Sequence, residues 1–305
     1  MSTSVPFETP SKPGPPAGRM PGMHMFALVA GILLGTASLG ALGTSLPLPG
    51  TLVGMALGAT LILLGAAGLG RGISPGAPTE AGRTGSGVSM PAQLTGQLDP
   101  GLSRWKWLVK WFLAIPHYAV LAFLWVAFPV VTVAAGVAIL FTGRYPAPLF
   151  QFAVGVLRWN WRVSFYAYGV LGTDEYPPFT LARTPYPADF DVAYPASLSH
   201  WKVLVKSWLF ALPQLLVVSL LTGGAWASSS ASGISLVGVL VLIAAVILLV
   251  TGVYRVGVFN LLMGINRWAL RTMAYVALMT DKYPPFRLDQ GPFDPPVRVV
   301  KPASA

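Results

Sequence analysis

Two pairs of arginines, each pair four residues apart, are the residues whose type and spacing most clearly allow chemistry. Arg158 and Arg162 form the first pair, and Arg267 and Arg271 form the second. Residues at i and i+4 share one face of a helix, so each pair presents two guanidinium groups side by side. Guanidinium groups bind phosphates and carboxylates through charge-assisted hydrogen bonds. The two pairs therefore predict a site for anionic lipid headgroups or a set of structural ion pairs.

The arginine pairs occupy the same position in a unit that the chain carries twice. The unit begins with Leu-Ser-Arg-Trp-Lys at 102–106 and with Leu-Ser-His-Trp-Lys at 198–202. It ends with Tyr-Pro-Pro-Phe at 176–179 and again at 283–286. A duplicated unit in a very apolar chain predicts an integral membrane protein that is built from two similar helical bundles.

Aromatic and basic side chains at the beginning of each copy complete the predicted headgroup site. The candidate headgroup residues are Trp105, Lys106, Lys110, Arg158 and Arg162 in the first copy and Trp201, Lys202, Lys206, Arg267 and Arg271 in the second. The alternative interpretation is that the tryptophans and lysines are ordinary interfacial anchors. Asp174 and Asp281 follow the arginine pairs in sequence, and we predict that they form structural ion pairs with these arginines.

The composition of the chain excludes a soluble protein. Hydrophobic residues make up 54% of the sequence and charged residues only 10%, which is less than half the usual charged share of a globular domain. The net charge of +10 would suggest nucleic acid in a soluble protein. Here it indicates loops that lie against an anionic membrane surface, so we expect no nucleic-acid partner. The absence of cysteine excludes disulfides and thiolate metal sites.

Apolar stretches predict six membrane-spanning helices. Two lie before the duplicated unit, at 25–46 and 51–69, and two lie in the second copy, at 208–227 and 234–254. In the first copy, one helix over 107–141 would be roughly 50 Å long, well beyond a ~30 Å hydrocarbon core. We therefore predict two helices there, with a tight turn near Phe128 and Pro129.

The charged residues predict the orientation of these spans. All lysines, arginines and acidic residues fall outside the short turns at 47–50, 128–129 and 228–233. With six spans, every charge lies on one face, and the positive-inside rule makes that face cytosolic, with both termini inside. We expect a multi-pass protein of the cell inner (plasma) membrane. A cleaved signal peptide is the competing interpretation of the first span, although its apolar run exceeds the usual ~7–15 residues.

The arginine pairs lie in two further apolar stretches, at 149–171 and 258–279. Arginines in the middle of a spanning helix would each cost a few kcal/mol, whereas a helix in the cytosolic interface exposes its polar stripe to water and headgroups. We therefore favour amphipathic interfacial or shallow re-entrant helices, with spanning helices as the alternative. Each copy then has two spans, so the two copies are parallel, with a pseudo-twofold axis along the membrane normal.

The predicted fold is an all-α, polytopic membrane protein with two parallel repeats of a helix pair plus an amphipathic interfacial helix. Its segments are a disordered cytosolic tail (1–23), a transmembrane hairpin (24–70), a flexible Gly/Pro/Ser-rich linker (71–100), membrane repeat 1 (101–185), membrane repeat 2 (186–290) and a C-terminal tail (291–305). Glycines four residues apart in the hairpin favour close helix contact, within the hairpin or in a homo-oligomer.

Residue patterns typical of catalysis or transport coupling do not appear in the sequence. No carboxylate lies inside a predicted span, and His24, His117 and His200 lack ligand-spaced neighbours, so we expect neither an enzyme nor a metal or other cofactor. The leading hypothesis is a non-enzymatic membrane scaffold or lipid-interacting accessory protein. Its expected partners are anionic membrane lipids, a second copy of the chain or another membrane protein. The alternative is a passive transporter or channel for a small or lipidic solute between the repeats, with Gln151 and Asn260 at its mouth.

Together, these motifs resemble those of an actinobacterial multi-pass membrane family with a duplicated domain of unknown function 4389. The resemblance rests on residues 102–118, 141–146 and 156–159 and on both Tyr-Pro-Pro-Phe motifs, and it covers both copies. The second copy departs from the pattern, with Gln214 in place of His117 and Val253 in place of Arg144. The resemblance implies a multi-pass membrane protein without an established activity or cofactor.

Overall fold

The computed structural model describes residues 22–41, 48–73, 90–223 and 235–294, which form nine α-helices and two short strands. The elements before and within the first copy are α1 (Gly22–Gly40), α2 (Leu48–Arg71), β1 (Ala92–Gly96), α3 (Trp107–Leu113), α4 (Ile115–Thr142) and α5 (Ala147–Ala167). The remaining elements are β2 (Ala188–Val192), α6 (Lys202–Val205), a π-helical turn (Lys206–Phe210), α7 (Leu212–Thr222), α8 (Leu236–Thr251) and α9 (Val256–Val276).

Four helical stretches of the described residues are long and apolar enough to cross a membrane. They are Gly22–Gly40, Pro49–Arg71, Ile115–Thr142 and the continuous stretch Lys202–Thr222 that joins α6, the π-helical turn and α7. Helix α8 is apolar but has only 16 residues. These helices support membrane association of the chain, with fewer long spans than the six that we predicted.

Helix α4 is a single helix of 28 residues, with Pro129 in its interior. The predicted turn at Phe128 and Pro129 is therefore wrong. A proline removes one helical hydrogen bond, but in an apolar environment the neighbouring helices can accommodate that loss without a turn. At about 1.5 Å per residue the helix is ~42 Å long, so it can cross a ~30 Å core only with tilt or overhang.

Helices α7 and α8 together correspond to α4, with a break between them. Gly223 ends α7 with a positive φ of 72° and lies against Ser235, which caps the N-terminus of α8. The predicted turn at 228–233 falls in the segment 224–234, outside the described residues. The second copy is therefore the first copy with its long helix interrupted once.

The two copies run in opposite directions, which contradicts the predicted parallel arrangement. Arg104 lies against Gly252 at the end of α8, and its counterpart His200 lies against Gly143 at the end of α4. His200 Nδ1 is 2.8 Å from the carbonyl oxygen of Leu140. A twofold axis parallel to α4 would put the beginnings of both copies at the same end of this ~42 Å helix. The contacts of Arg104 and His200 put them at opposite ends instead. The axis that relates the copies is therefore perpendicular to α4.

Strands β1 and β2 form an antiparallel ribbon that joins the two copies. Leu94 pairs with Phe190 at its centre, and Ala92 pairs with Val192 at one end. The ribbon corrects two predictions, since the fold is not wholly helical and the linker at 71–100 contains a strand. Five residues per strand are too few to give a clear alternating pattern in the sequence.

Helices α5 and α9 lie at the centre of the molecule and are buried on nearly all sides. Arg162 and Arg267 are both 0% exposed, which contradicts the prediction that these helices turn a polar stripe toward water and headgroups. The stripe is covered instead by chain segments that follow each helix, as described below. Helix α2 packs on α5, with Gly70 against the backbone of Pro148.

The glycines of the first hairpin bring α1 and α2 into backbone contact. A Cβ atom on Gly58 would lie 2.7 Å from the backbone nitrogen of Gly35, and one on Gly31 would lie 2.6 Å from that of Ile62. The small residues of the hairpin therefore serve contact between its own two helices, which is one of the two roles that the sequence allowed.

Candidate functional site: buried charge networks and exposed Trp–Lys pairs

Arg158 and Arg162 are neutralised by aspartates of strand β2. Arg158 Nε lies 3.1 Å from Asp189 Oδ1, and its Nη2 donates to Asp191 Oδ1 at 2.8 Å. Asp189 and Asp191 are two residues apart on the strand and so lie on one face of it. Arg162 donates to the carbonyl oxygen of Ala182 at 3.0 Å, and burial lowers the pKa of Arg162 to about 10. This network consists of two buried guanidinium groups with protein partners.

Arg267 and Arg271 form the same kind of network with residues near the end of the described chain. Arg267 Nε lies 2.9 Å from Asp294 Oδ1, and Arg271 Nη1 lies 2.6 Å from Asp289 Oδ2. Asp294 also accepts a hydrogen bond from the backbone N–H of Leu94 at 2.7 Å. The predicted C-terminal tail at 291–305 therefore begins inside the folded unit.

The two networks meet at the centre of the β1–β2 ribbon. Arg158 Nε donates to the carbonyl oxygen of Phe190 at 2.9 Å, and Arg267 Nη2 donates to that of Leu94 at 3.0 Å. Leu94 and Phe190 are opposite each other in the ribbon. Arg158 of the first copy therefore holds the strand that precedes the second copy, and Arg267 of the second copy holds the strand that precedes the first. The networks join the two copies into one body.

Asp174 and Asp281 form the predicted ion pairs, but their partners are lysines. Asp174 lies 2.8 Å from Lys110 Nζ, and Asp281 lies 2.9 Å from Lys206 Nζ. Each aspartate also accepts a backbone N–H from the serine that begins its copy, Ser103 or Ser199. The prediction of arginine partners is wrong because β2 and the segment after α9 supply nearer carboxylates. Burial opposes ionisation of Asp174, but the bonds from Lys110 and Ser103 outweigh it and lower its pKa.

Four of the ten candidate headgroup residues remain exposed. Trp105 is 59% exposed and Trp201 is 70% exposed. Lys106 is half exposed and lies 3.5 Å from Asp174, whereas Lys202 is exposed and has no ion pair within the described part of the chain. We call Trp105 with Lys106, and Trp201 with Lys202, the two Trp–Lys pairs. The other six candidates are buried and paired with carboxylates of the protein, so among these ten residues the Trp–Lys pairs alone present free surface to a lipid.

Sequence reasoning missed the four aspartates that neutralise the arginines: Asp189, Asp191, Asp289 and Asp294. A signal was present, since the chain has only ten acidic residues and a buried guanidinium group requires a nearby carboxylate. The spacing of Asp189 and Asp191 also matches one face of a strand. Within the described ranges, no group of three or more His, Asp or Glu side chains that could hold a metal ion occurs.

A buried hydrogen bond donated by a tryptophan side chain in each copy is the second feature that the sequence did not reveal. Trp159 Nε1 donates to His117 Nδ1 at 3.1 Å, and in the second copy Trp268 Nε1 donates to Gln214 Oε1 at 2.5 Å. Phe179 stacks on the His117 ring at 3.9 Å between centroids. Both acceptors follow a proline in the first turn of a helix, so His117 serves the packing of α4 on α5.

The fold and the charge networks define a duplicated, mainly helical protein with helices that are apolar enough for a membrane. A family profile described as Domain of unknown function (DUF4389) matches residues 104–180 and 202–287, which together are more than half of the chain. The chain belongs to this family, and the two matched segments coincide with the two copies. No curated protein and no solved structure matches the chain.

Proposed function

We propose that this protein is a non-enzymatic membrane scaffold that interacts with anionic lipids through its two Trp–Lys pairs. One observation carries the proposal: six buried cations are paired inside the protein, whereas the Trp–Lys pairs are exposed. Fully paired, buried ionisable groups support a structural role. Exposed tryptophan beside lysine suits the membrane interface.

The energetics of the interface favour anionic lipids as the partner. Each lysine near an anionic surface contributes about 1 kcal/mol, and this contribution decays over a Debye length. The tryptophan ring adds apolar contact at headgroup level while its N–H remains solvated. The apolar helix faces around each pair, including Leu108 and Leu204, are also exposed and suited to lipid.

Passage of a lipidic solute between the copies is the second candidate function, and a groove favours it over passage of ions. The groove has a volume of about 590 Å³ and lies between α4, α6 and the end of α9. Phe128, Val203 and Leu278 contribute to its apolar lining. Its Ser207 hydroxyl is already bonded to the carbonyl oxygen of Val276 at 2.8 Å, so this groove offers little to a charged solute.

The lipid proposal is tested by extracting the protein with its native lipids and identifying the lipids that stay bound by native mass spectrometry. We expect the double variant Lys106→Ala/Lys202→Ala to lose the enrichment of anionic lipid that the wild type shows. The matched control is Arg144→Ala/Arg255→Ala, which removes two exposed cations outside the Trp–Lys pairs. Retention of the wild-type lipid mixture by the first double variant would overturn the proposed function.

A further inference from the structure

We propose that the second copy carries a binding site for one anionic phospholipid beside the π-helical turn, and that the first copy lacks this site. The inference rests on the proposed function and assigns it a place in the fold. A pocket of about 460 Å³ lies there, lined by Lys202, Leu209, Phe210, Pro213, Tyr275, Asp281 and Tyr283. One side of the pocket is apolar and the other carries an ammonium group and tyrosines, so its chemistry is that of an amphiphile.

The charge of the pocket suits an anion. Asp281 lines it, but Lys206 Nζ lies 2.9 Å from Oδ1 and the Ser199 N–H donates to Oδ2 at 2.7 Å. Lys206 also lies over the Tyr275 ring, 4.9 Å from its centroid. The negative charge of Asp281 is therefore matched within the protein, and the exposed ammonium group of Lys202 gives the pocket a net positive charge.

In the corresponding region of the first copy, the tyrosine and the lysine are engaged by the protein itself. The Tyr176 hydroxyl donates to the carbonyl oxygen of Leu113 at 3.0 Å, and Lys106 lies 3.5 Å from Asp174. Their counterparts in the second copy are Tyr283, whose hydroxyl makes no hydrogen bond with a described residue, and Lys202, which is free of ion pairs in the same ranges. Two groups that the first copy uses internally are thus available to a ligand in the second.

The difference between the copies has a backbone cause. In the first copy the residues after the Trp–Lys pair form α3, which is an ordinary α-helix. At its end the Ala114 N–H donates a hydrogen bond to the carbonyl oxygen of Lys110. In the second copy α6 is followed by the π-helical turn Lys206–Phe210, in which the Ala211 N–H donates to the carbonyl oxygen of Lys206. Single π-helical turns inside helices are often found at functional sites, and here the wider turn borders the pocket.

The occupant that fits both sides of the pocket is a phospholipid rather than a soluble anion. The phosphate would bind the Lys202 ammonium group and accept a hydrogen bond from the Tyr283 hydroxyl. An acyl chain would then lie along Leu209, Phe210 and Pro213, of which the first two are roughly half exposed. Inorganic phosphate would gain nothing from this apolar side.

The test is titration of the delipidated full chain in detergent with phosphatidylglycerol, followed by native mass spectrometry. We expect one tight site per chain in the wild type and in Arg144→Ala, which removes an exposed cation outside the Trp–Lys pairs. Lys106→Ala, at the equivalent position of the first copy, should weaken this site less than Lys202→Ala does. Lys202→Ala should weaken this site about fivefold or more, since one lysine near a phosphate contributes ~1 kcal/mol. Lys202→Arg should restore it, and Tyr283→Phe should weaken it without loss of charge.

Several outcomes would overturn the site, and they differ from failure of the proposed function. Equal weakening by Lys106→Ala and Lys202→Ala would remove the asymmetry but leave the scaffold proposal intact. Equal binding of phosphatidylcholine, or full competition by inorganic phosphate, would show that the pocket does not select an anionic phospholipid. Because Lys202 is exposed, its variants should keep the elution volume and unfolding temperature of the wild type, and loss of binding then reports on the pocket itself.

Discussion

His117 and Gln214 show how two different side chains accept the same tryptophan hydrogen bond. Gln214 also uses its amide group, since Nε2 donates to the carbonyl oxygen of Pro284 at 2.8 Å. His117 accepts from Trp159 through Nδ1, so its proton is on Nε2, and this buried group has no partner. The counterpart of Pro284 in the first copy is Pro177, whose carbonyl oxygen is the acceptor that a glutamine at 117 would reach.

We predict that His117→Gln stabilises the protein by about 1 kcal/mol, because it gives a buried donor a partner and keeps the bond to Trp159. The measurement is the free energy of unfolding in detergent. The reverse change, Gln214→His, is the control and should destabilise the protein by a similar amount. A lower unfolding free energy for His117→Gln would contradict this reading of the two copies.

Asp174 gives the second prediction at this scale. Asp174→Asn leaves the ammonium group of Lys110 buried without a counter-charge, which should cost on the order of 3 kcal/mol. The pKa of Asp174 is lowered in the folded state, so its contribution is complete above its unfolded pKa of about 3.9 and is lost as the pH falls through the lower folded value. The difference in unfolding free energy between wild type and Asp174→Asn should therefore be constant near neutral pH and shrink below about pH 4. A difference that grows in acid would contradict the assigned sign.

At the scale of elements, local patterns predicted the two arginine-bearing helices well and their partners poorly. The stretches predicted at 149–171 and 258–279 correspond to α5 and α9 within a few residues. Apolar periodicity and arginine spacing are local signals, and they define these helices. The bond from Arg267 to the carbonyl oxygen of Leu94 joins residues 173 positions apart, and no local pattern records such a contact. The role of the ribbon was therefore beyond sequence reasoning.

The ribbon itself can be tested with cysteines, because the chain has none of its own. Ala92 and Val192 are directly opposite on adjacent strands, so Cβ atoms there lie about 5 Å apart and can form a disulfide with a small shift. We predict that Ala92→Cys/Val192→Cys forms an intramolecular disulfide under mild oxidation, visible as a mobility shift that reductant reverses.

The control for this disulfide is Ala92→Cys/Ala188→Cys. Ala188 pairs with Gly96 at the other end of the ribbon, about 13 Å along the strand from Ala92. This pair should not close within one chain. A cross-linked dimer from the first double variant would show that the two copies pair between chains rather than within one.

At the scale of the whole molecule, the burial of basic residues and the opposite directions of the two copies change what the charges indicate about membrane orientation. The positive-inside rule counts basic residues as though all of them lie in loops. Lys110, Lys206 and the four arginines of the networks are instead buried and neutralised, so they carry no information about orientation. If α4 crosses the bilayer, the two Trp–Lys pairs lie at opposite membrane surfaces, related by an axis in the membrane plane as in other inverted repeats. The phospholipid site of the second copy then faces one leaflet only.

The bonds on Leu94 set an order for the maturation of the chain during synthesis. Its N–H donates to Asp294 and its carbonyl oxygen accepts from Arg267. Strand β1, which precedes the first copy, therefore gains these bonds only after residues of the second copy and beyond it have been synthesised. Until those residues leave the ribosome, Leu94 lacks both of these partners. Strands β1 and β2 both precede the second copy and can pair before it is made, so the contacts that fix Leu94 form only when the segment after α9 arrives.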